Sequence, residues 1–452
     1  MRVTVVGAGY VGLASALAFA ADGHDVVCVE RNPMRLAQLR RGEDPLDEPS
    51  VASLLKSTTA RFVAADTEID RAEIVVVAVG TPMRRDGHAD LAQLLEACRG
   101  IAAAAQPGTV VAIRSTVPVG TCDGLQEGVL HELVVVSNPE FLREGHALED
   151  SLWPTRIVAG GPDSARAVID ALYAPILRRA RARGTPPILW MTSRSAELAK
   201  YAANGFLATK LSFVNELANL AGVVGADADA VLRSMSFDPR IGSGHLRPGL
   251  GWGGSCFPKD TRALAALAAG EGYDFIILKA AIEQNRRQIA HFARIIERAT
   301  ARGATIALLG LAFKAGTADT RDSPALALAD RLARKGRKVR AYDPAVRHVT
   351  DPAIAVAASA AAACADAAAL VVATEWPEFA DLDLVALRGL MRGDLLVDGR
   401  GVIDPERARS AGFRYRGIGW PRRPTSEGDR PSVARERWFE RYLSLTRAAP
   451  RP

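Results

Sequence analysis

Short apolar runs alternate with segments of helical spacing through the first part of the chain. Residues 3–6 form an apolar run of strand length, residues 10–22 have helical periodicity, and residues 25–30 return to a strand pattern. Gly23 stands where the glycine that ends a helix is expected. Strands that alternate with helices predict a doubly wound parallel sheet. Further apolar strand candidates lie at residues 74–79, 110–113 and 133–136.

The pattern changes after residue 195. Residues 196–224 and 275–302 both have the spacing of long helices, and the segment between them shows no convincing strand. We expect this helical segment to hold two α/β domains together or to form a dimer interface. The alternation then resumes, with strands predicted at residues 305–311, 338–342, 370–374 and 395–397 and a helix at residues 324–334.

The hydrophobic pattern therefore predicts an α/β chain with two doubly wound parallel-sheet domains joined by a helical central domain. The length of 452 residues agrees with this division because it is too great for one ordinary core. We predict an N-terminal domain at 1–195, a central domain at 196–302, a C-terminal domain at 303–420 and a Pro/Arg-rich tail at 421–452.

Composition and charge change this picture little. A hydrophobic content of 48% with 24% charged residues is typical of a globular protein, and the net charge of +6 comes from scattered basic residues. No arginine stripe with interleaved aromatic residues indicates a nucleic-acid partner. The apolar stretch at residues 353–373 is mostly alanine and contains Asp366, so we predict no membrane span.

The cysteines and the N-terminus indicate a compartment. The five cysteines are widely separated and include no CxxC pair, so neither a zinc site nor a disulfide framework is indicated. The N-terminus runs directly into a predicted strand, without the features of a signal peptide. We predict a reduced, cytoplasmic protein.

A glycine-rich turn, GAGYVG at residues 7–12, follows the first predicted strand and opens the first predicted helix. In such a turn Gly7 permits the tight bend, Gly9 lets the backbone approach a pyrophosphate, and Gly12 lets the helix pack closely on the strand. The helix N-terminus then faces the negative charge. This context predicts a Rossmann-like dinucleotide-binding domain.

The residue at the end of the second predicted strand bears on the cofactor. Glu30 stands at the distance expected for a carboxylate that holds ribose hydroxyls. Because a carboxylate repels a 2′-phosphate, we predict NAD. Arg31 and Arg35 stand close by and keep NADP open as an alternative.

The segment GWGGSCFPKD at residues 251–260 is the most informative. Its glycines let the backbone approach a ligand, and Pro258 suits the first turn of the helix that follows. Cys256 therefore stands at or just before a helix N-terminus with Lys259 nearby, and both features are expected to lower the pKa of the thiol. We predict that Cys256 is a nucleophile; the alternative is a structural cysteine, as we expect for the other four.

Two polar loops follow predicted strands. NPEFLREG at residues 138–145 places two carboxylates and an arginine at the carboxyl end of a strand, where α/β sheets bind ligands. A solvated loop fits this spacing equally well. STVPVGT at residues 115–121 supplies hydroxyls that can orient a water molecule.

Three polar residues share one face of the first long helix. Lys200, Asn204 and Asn215 fall within a sector of roughly 60° at about 100° per residue, which indicates a polar site or a solvated face.

A second candidate site follows the first strand of the C-terminal half. Lys314 and Arg321 stand beside exposed amides and predict an anion site for a second nucleotide. Ser323 is predicted to cap the next helix, with Pro324 as its first residue.

These motifs together resemble the UDP-glucose/GDP-mannose dehydrogenase family, from residue 1 to about residue 420. The resemblance implies an NAD domain, a helical domain that carries a homodimer interface and a C-terminal domain that binds the UDP-sugar. NPEFLREG, FDPRIG and SCFPKD fit the UDP-glucose branch best, and GDP-mannose or a UDP-hexosamine is the alternative substrate. FDPRIG stands at residues 237–242. The other matching motifs are VGTP at 79–82, AELAKYAANGFLATKLSFVNELA at 196–218, GLAFKAGTADTRDSP at 310–324 and DGRG at 398–401.

The resemblance implies a four-electron oxidation of UDP-glucose to UDP-glucuronate with two molecules of NAD. Cys256 is expected to add to an intermediate aldehyde, giving a thiohemiacetal and then a thioester that water hydrolyses. Lys200 and Asn204 are expected to stabilise the developing alkoxide and oxyanion. Asp260 is expected to take or relay the proton of the alcohol.

The hydrolysis step has two candidate bases. The resemblance favours Glu140 as the general base, with Thr116 holding the same water, and Glu144 is the rival. A two-electron hydroxyacid dehydrogenase would need neither Cys256 nor the C-terminal half. An inactive nucleotide-binding protein would be expected to lack some of the reactive side chains, all of which are present.

The resemblance also implies two sets of binding residues. Two positions depart from the family pattern. Trp252 stands where the family more often has Tyr or Phe, and Gly401 stands where it more often has a polar side chain. Arg240 is expected to cross the dimer interface to the sugar nucleotide. Cofactor contacts are expected at Gly7, Gly9, Tyr10, Val11, Gly12, Glu30, Arg35, Gly80, Thr81, Thr116, Glu144, Lys259 and Arg321. Substrate contacts are expected at Phe141, Leu142, Arg143, Glu144, Lys200, Asn204, Arg240, Leu246, Gly251 and Lys314.

Overall fold

A computed structural model describes residues 1–419 with the exception of 47, 65–68, 182–183 and 185–186. The predicted tail at 421–452 and the last residue of the predicted C-terminal domain lie outside the described residues.

The described N-terminal residues form a sheet of eight strands in the order β3-β2-β1-β4-β5-β6-β7-β8. Its strands pair in parallel except at one place, where β6 and β7 are antiparallel through Ser137 and Gly160. The sequence pattern did not show β7 and β8 because three residues are too few to display a period. The strands are β1 (Arg2–Val6), β2 (Asp25–Val29), β3 (Arg61–Val63), β4 (Ile74–Val77), β5 (Val110–Ile113), β6 (Val134–Ser137), β7 (Val158–Gly160) and β8 (Leu189–Met191).

Helices cover both faces of this sheet and bury it. Strands β4 and β5 are apolar along their whole length and fully buried, as expected for central parallel strands. The helices are α1 (Tyr10–Ala21), α2 (Pro33–Arg40), α3 (Pro49–Leu55), α4 (Ala92–Ala104), α5 (Thr121–Glu127), α6 (Ala147–Leu152) and α7 (Arg166–Ala180).

The middle of the chain is helical, as predicted. It consists of α8 (Ser193–Val224), α9 (Ala228–Ser236), α10 (Phe257–Gly270) and α11 (Ile276–Ala299), and α8 packs against both α10 and α11. Thr192 caps α8, because its hydroxyl accepts the backbone N–H of Ser195 at 3.2 Å. The long helix thus begins three residues earlier than the pattern indicated, and the short α9 was not predicted.

The first turn of α8 is joined directly to the N-terminal sheet. A Cβ at Gly160 would lie 2.5 Å from the carbonyl oxygen of Thr192, so only glycine allows β7 to approach the helix this closely. The buried carboxylate of Glu197 accepts the backbone N–H groups of Gly120 at 2.6 Å and Cys122 at 2.8 Å at the start of α5. These contacts hold α8 against the N-terminal domain.

The described C-terminal residues form a six-stranded parallel sheet in the order β11-β10-β9-β12-β13-β14. As predicted, Pro324 is the first residue of α12, and the Ser323 hydroxyl accepts the N–H of Leu326 at 3.4 Å. The elements are β9 (Thr305–Leu309), α12 (Pro324–Arg334), β10 (Lys338–Tyr342), β11 (Ile354–Val356), α13 (Ala360–Cys364), β12 (Ala369–Val372), α14 (Pro377–Ala380), α15 (Leu384–Leu390), β13 (Leu395–Asp398), α16 (Pro405–Ser410) and β14 (Arg414–Gly417).

The prediction of two Rossmann-like domains joined by helices is confirmed. Across the described residues, no helix combines the length and the apolar character needed to cross a membrane.

Candidate active site

A cavity of about 540 Å³ lies where the three parts of the chain meet. The loop after β6 forms one wall with residues 139–144, α8 contributes Lys200 and Asn204, and the loop before α10 contributes residues 253–256. The loop after β9 closes the remaining side with Phe313 and Lys314. The structure therefore brings together side chains that are separated by up to 175 residues of sequence.

Cys256 stands at the position that precedes α10, as predicted, and its thiol is exposed to the cavity. The Oγ of Ser255 lies 3.5 Å from its sulfur. The deep position in the cleft raises the pKa of the thiol, the ammonium of Lys200 lowers it, and the carboxylates of Glu140 and Asp260 raise it. The net direction is upward.

The expectation of a lowered thiol pKa is therefore wrong for the ligand-free protein. Burial is the largest contribution to the pKa of the Cys256 thiol. Lys259 does not counteract it, because its ammonium pairs with Asp260 at 2.5 Å. The charges of Lys200 from α8 and of Arg321 favour the thiolate.

A buried ion pair joins α8 to the loop after β6. The Nζ of Lys200 lies 2.9 Å from Oε1 of Glu140, and the two residues are only 3% and 6% exposed. Burial by itself raises the pKa of Glu140, but Lys200, the N–H of Leu142 at 2.5 Å and the charge of Arg114 bring it below its usual value. Burial likewise lowers the pKa of Lys200, but Glu140 and its acidic neighbours raise it above the usual value. Both partners are thus charged at neutral pH.

Asp260 is fixed through both carboxylate oxygens. The Nδ2 of Asn204 donates to Oδ2 at 2.6 Å, and Lys259 contacts Oδ1. Asp260 is almost fully buried on the first turn of α10, one turn after Cys256. The pairing places the Asp260 carboxylate beside Asn204, and the Asn204 side chain lines the cavity.

Asn215, the third polar residue of the predicted helix face, lies elsewhere. Its Oδ1 accepts the backbone N–H of Gly249 at 2.7 Å in a buried position. It supports the loop that leads to Cys256.

The loop at residues 140–145 also contacts the C-terminal domain. Lys314 donates to the backbone carbonyl of Glu144, and the hydroxyl of Thr317 donates to Oε1 of Glu144 at 3.1 Å. Burial and the neighbouring Asp319 raise the pKa of Glu144 to about 7. Burial lowers the pKa of Lys314.

Two predicted arginines are committed to carboxylates. Arg143 contacts Asp150 at 2.6 Å, and Arg321 contacts Asp319 at 2.5 Å. The carbonyl of Arg321 also accepts the N–H of Gly254 at 3.0 Å, so Arg321 supports the loop at residues 253–256 that carries Cys256.

The glycine turn after β1 has the shape that a dinucleotide requires. A Cβ at Gly7 would lie 2.8 Å from the carbonyl of Ala78, and one at Gly12 would overlap the carbonyl of Gly7. Apart from its two chain neighbours, no atom of the described residues lies within 4 Å of the corresponding position at Gly9, so open space borders the turn where α1 begins. This geometry fits a pyrophosphate against the helix N-terminus.

The other predicted cofactor residues follow the neighbouring strands. Glu30 is buried at the end of β2, where it accepts the N–H of Asn32 at 2.7 Å and lies 3.5 Å from Arg35. Gly80 and Thr81 follow β4, and the Thr81 hydroxyl donates to the carbonyl of Thr116 after β5 at 2.7 Å. The carboxyl ends of four strands thus border one site. At the turn itself, Tyr10 donates to the carbonyl of Arg143 at 3.3 Å, and Val11 lies in the first turn of α1.

Three predicted substrate residues do not line the cavity in the described chain. The Arg240 side chain is 88% exposed and pairs with Asp238. Leu246 packs in a small apolar cluster with Val214. A Cβ at Gly251 would lie 2.7 Å from Oδ1 of Asn285, so this glycine serves the approach of α11 to the loop.

Two cationic residues of the cavity were missed. Arg156 lies over the ring of Phe141, 3.7 Å from its centroid, and Arg114 lies behind Glu140 at the end of β5. Arg114 immediately precedes the polar loop at 115–121, and that position after a buried strand was the available signal.

A dinucleotide turn beside a cavity with a thiol, an ammonium and two carboxylates defines the class of protein as an NAD-dependent dehydrogenase. Family models agree over nearly the whole chain. The NAD binding domain of the UDP-glucose/GDP-mannose dehydrogenase family matches residues 1–177, its central domain matches 194–287, and its UDP binding domain matches 307–405. The chain belongs to this family.

Individual relatives cover the chain almost end to end. A UDP-glucose 6-dehydrogenase of Pseudomonas aeruginosa is 43% identical over 93% of this chain and 98% of its own length. A UDP-glucose dehydrogenase structure from Pyrobaculum islandicum has a TM-score of 0.83 at 36% identity, covering 93% of this chain and 98% of that one. A UDP-D-ManNAc dehydrogenase from Pyrococcus horikoshii has a TM-score of 0.82 at 29% identity, covering 93% and 99%.

Proposed function

We propose that this chain oxidises the C6 alcohol of UDP-glucose to the carboxylate of UDP-glucuronate, with two molecules of NAD. The observation that carries the proposal is the convergence of Cys256, the Lys200–Glu140 pair and Asn204 on one cavity, with Asp260 hydrogen-bonded to Asn204. The identity to enzymes named for UDP-glucose supports the substrate. The alternative is a UDP-hexosamine or GDP-mannose, and the likeness to the UDP-D-ManNAc dehydrogenase favours the former of these.

The first oxidation requires a base for the alcohol proton and a counter-charge for the alkoxide. Asp260, oriented by Asn204 and Lys259, takes the proton through water in our proposal. The ammonium of Lys200, which is itself almost fully buried, stabilises the developing negative charge. When bound, NAD accepts the hydride in each of the two oxidations.

The second oxidation begins with the thiol. The sulfur of Cys256 bonds to the aldehyde carbon while the C=O π bond opens, and the thiol proton passes through water to the carbonyl oxygen, which gives the thiohemiacetal. Because burial raises the pKa of the free thiol, we expect the approach of Lys200 and the aldehyde to drive its deprotonation. Loss of a hydride from the same carbon, together with loss of the hydroxyl proton to water, leaves a thioester on Cys256.

Hydrolysis releases the product. A water oxygen adds to the thioester carbon, its proton passes to Glu140, the carbon–sulfur bond breaks, and Cys256 regains a proton. Thr116 is proposed to hold the same water. Glu144 is the alternative base, and its pKa of about 7 suits that role. A Glu140→Gln variant that accumulates the thioester while Glu144→Gln does not would support Glu140, and the reverse result would assign Glu144.

We also propose that the chain acts as a homodimer in the cytoplasm, with domains at 1–195, 196–302 and 303–420. Phe206, Phe213 and Leu220 repeat every seven residues on α8 and are 69%, 57% and 54% exposed. An exposed apolar seam of this kind favours association with a second helix. Arg240 stands free of its own cavity, which agrees with a contact made to the partner's sugar nucleotide. The other cofactor and substrate contacts predicted from the sequence are proposed as well, apart from Leu246 and Gly251, which do not line the cavity.

The test is the yield of NADH per sugar nucleotide. We expect two NADH per UDP-glucose, and less from GDP-mannose or a UDP-hexosamine. Cys256→Ser is expected to abolish the full oxidation, whereas Cys98→Ala, a matched control in the buried core, is expected to retain it. One NADH per UDP-glucose, or normal turnover by Cys256→Ser, would overturn the thioester route.

A further inference from the structure

Arg114 is a buried cation at the edge of the cavity. It follows β5 directly, its backbone N–H donates to the carbonyl of Val77 at 2.9 Å, and its side chain is almost fully enclosed. Within the described residues, no carboxylate lies within 4 Å of its guanidinium. An unpaired buried charge is costly, so its retention calls for a physical reason.

The guanidinium is held by neutral acceptors from three elements. Its Nε donates to the hydroxyl of Ser15 on α1 at 2.9 Å, and its Nη1 donates to Oδ1 of Asn138 at 3.2 Å and to the hydroxyl of Tyr173 at 2.9 Å. Tyr173 in turn donates to Oδ1 of Asn138 at 2.6 Å. Arg114 therefore connects α1, the helix that follows the glycine turn, to the start of the loop that carries Glu140.

Asn138 passes this constraint to the loop. It is fully buried, and its Nδ2 donates to the carbonyl of Val158 on β7 at 2.8 Å. Its side chain is thus fixed at both ends. Glu140 is only two residues further along the chain, so the position of its backbone follows from that of Asn138.

The charge of Arg114 also acts on Glu140. Four titratable or charged groups face this carboxylate: Arg114 from the end of β5, Arg156 from the segment before β7, Lys200 from α8 and Cys256 from the loop before α10. Lys200 makes the direct contact, and Arg114 lowers the pKa of Glu140 further.

Lys200 has two roles in the proposed reaction that compete for one ammonium. It pairs with Glu140 in the free protein, yet it is also needed at the oxyanion of the substrate. When Lys200 turns to the oxyanion, Glu140 requires another positive charge to stay ionised in a buried position.

We propose that Arg114 is a positioning residue for the hydrolysis step, which holds the Glu140 loop in place and keeps that carboxylate ionised while Lys200 serves the oxyanion. This rests on the proposed function, in which Glu140 accepts a proton from water. Only a group that is ionised can act as that base.

Three variants separate the charge from the hydrogen bonds. Arg114→Gln removes the charge, Arg114→Lys keeps the charge but loses the fork of donors, and Tyr173→Phe removes one partner without changing any charge. Hydrolysis of the acyl-enzyme is measured by rapid quenching and mass spectrometry of the Cys256 adduct across the pH range in which each variant is folded.

For Arg114→Gln we expect the acid limb of the hydrolysis profile to move to higher pH, with a several-fold extra loss at low pH that shrinks at high pH to the uniform loss of Arg114→Lys. Arg114→Lys and Tyr173→Phe are expected to keep the limb in the wild-type position, with a loss that is the same at every pH. If Arg114→Gln leaves the limb unmoved, or if Arg114→Lys moves it equally, the proposal is overturned. Should Arg114→Gln not fold, the Arg114→Lys profile still decides, because a moved limb contradicts the proposal and an unmoved limb with a uniform loss supports it.

The wild-type protein and Glu140→Gln distinguish this outcome from failure of the proposed function. If the wild type yields one NADH or no Cys256 adduct, the proposed function is wrong. If the wild type yields two NADH and Glu140→Gln accumulates the adduct, but Arg114→Gln behaves as the wild type, only the role of Arg114 is refuted.

Discussion

Lys200→Met tests the buried ion pair at the centre of the site. The change removes an ammonium 2.9 Å from Glu140 and leaves a buried carboxylate with the N–H of Leu142 as its close donor. Removing one partner of a buried pair costs about 3–5 kcal/mol of folding free energy because the other charge stays desolvated. The same change at Lys279, whose exposed pair with Asp274 has a similar distance of 2.6 Å, is expected to cost less than about 1 kcal/mol.

The pH dependence follows from the two pKa directions. The folded-state pKa of Glu140 is lowered, so its contribution is present above the ordinary value of 4.5 and is lost as the pH falls through the folded value. The folded-state pKa of Lys200 is raised, so its contribution is fully present below the ordinary value of 10.5 and is lost as the pH rises through the folded value. The deficit of Lys200→Met is therefore largest between these two values and shrinks in acid, where Glu140 can be neutral.

The assay is calorimetric unfolding of the wild type, Lys200→Met, Glu140→Gln and the double variant at one protein concentration. We expect the double variant to be more stable than the sum of the two single losses, by at least about 1 kcal/mol, because it leaves neither charge buried alone. Strictly additive losses would refute the ion pair as a source of stability. A deficit that does not shrink in acid would refute the assignment of its charge to Glu140.

Two further predictions concern the cysteine loop and the α8 seam. Gly253→Ala places a Cβ 2.2 Å from the backbone carbonyl of Asp322, so it is expected to lower turnover by about 100-fold. Gly244→Ala is the control and is expected to be neutral, because no other part of the described chain comes within 4 Å of its Cβ. Equal turnover of the two variants would contradict this prediction. Phe213→Glu is expected to convert the dimer to a monomer in light scattering, while Val385→Glu, at an exposed valine on α15, is expected to leave the mass unchanged; a dimeric Phe213→Glu would refute the seam.

The sequence predicted those parts of the fold that have strong local patterns. The β1–α1–β2 unit combines an apolar strand, a glycine turn and a C-terminal glycine, and each points to the same structure. Ser323 and Pro324 were predicted for the same reason. In contrast, β7 and its antiparallel pairing depend on where a three-residue segment meets the sheet, which no local period records.

The sequence predicted which residues form the site better than it predicted how they are arranged. Helical spacing brought Lys200 and Asn204 to one face, yet Asn215 on that face lies about 16 Å further along the axis than Asn204 and serves another loop. The pKa direction of Cys256 was missed because the burial comes from segments distant in sequence. Arg114 was missed because a charged residue after an apolar strand has the appearance of a strand end.

The union of α8 with the N-terminal sheet has a mechanical consequence. Glu197 and the close approach at Gly160 hold the long helix against the sheet, so we expect these two parts to move together. If the cleft opens, the plane of separation runs between residues 140–145 and residues 313–319, where the contacts are a few hydrogen bonds. The nucleophile loop is braced from across that plane by Arg321. If opening breaks the hydrogen bond between Gly254 and Arg321, the loop that carries the thiol loses that support.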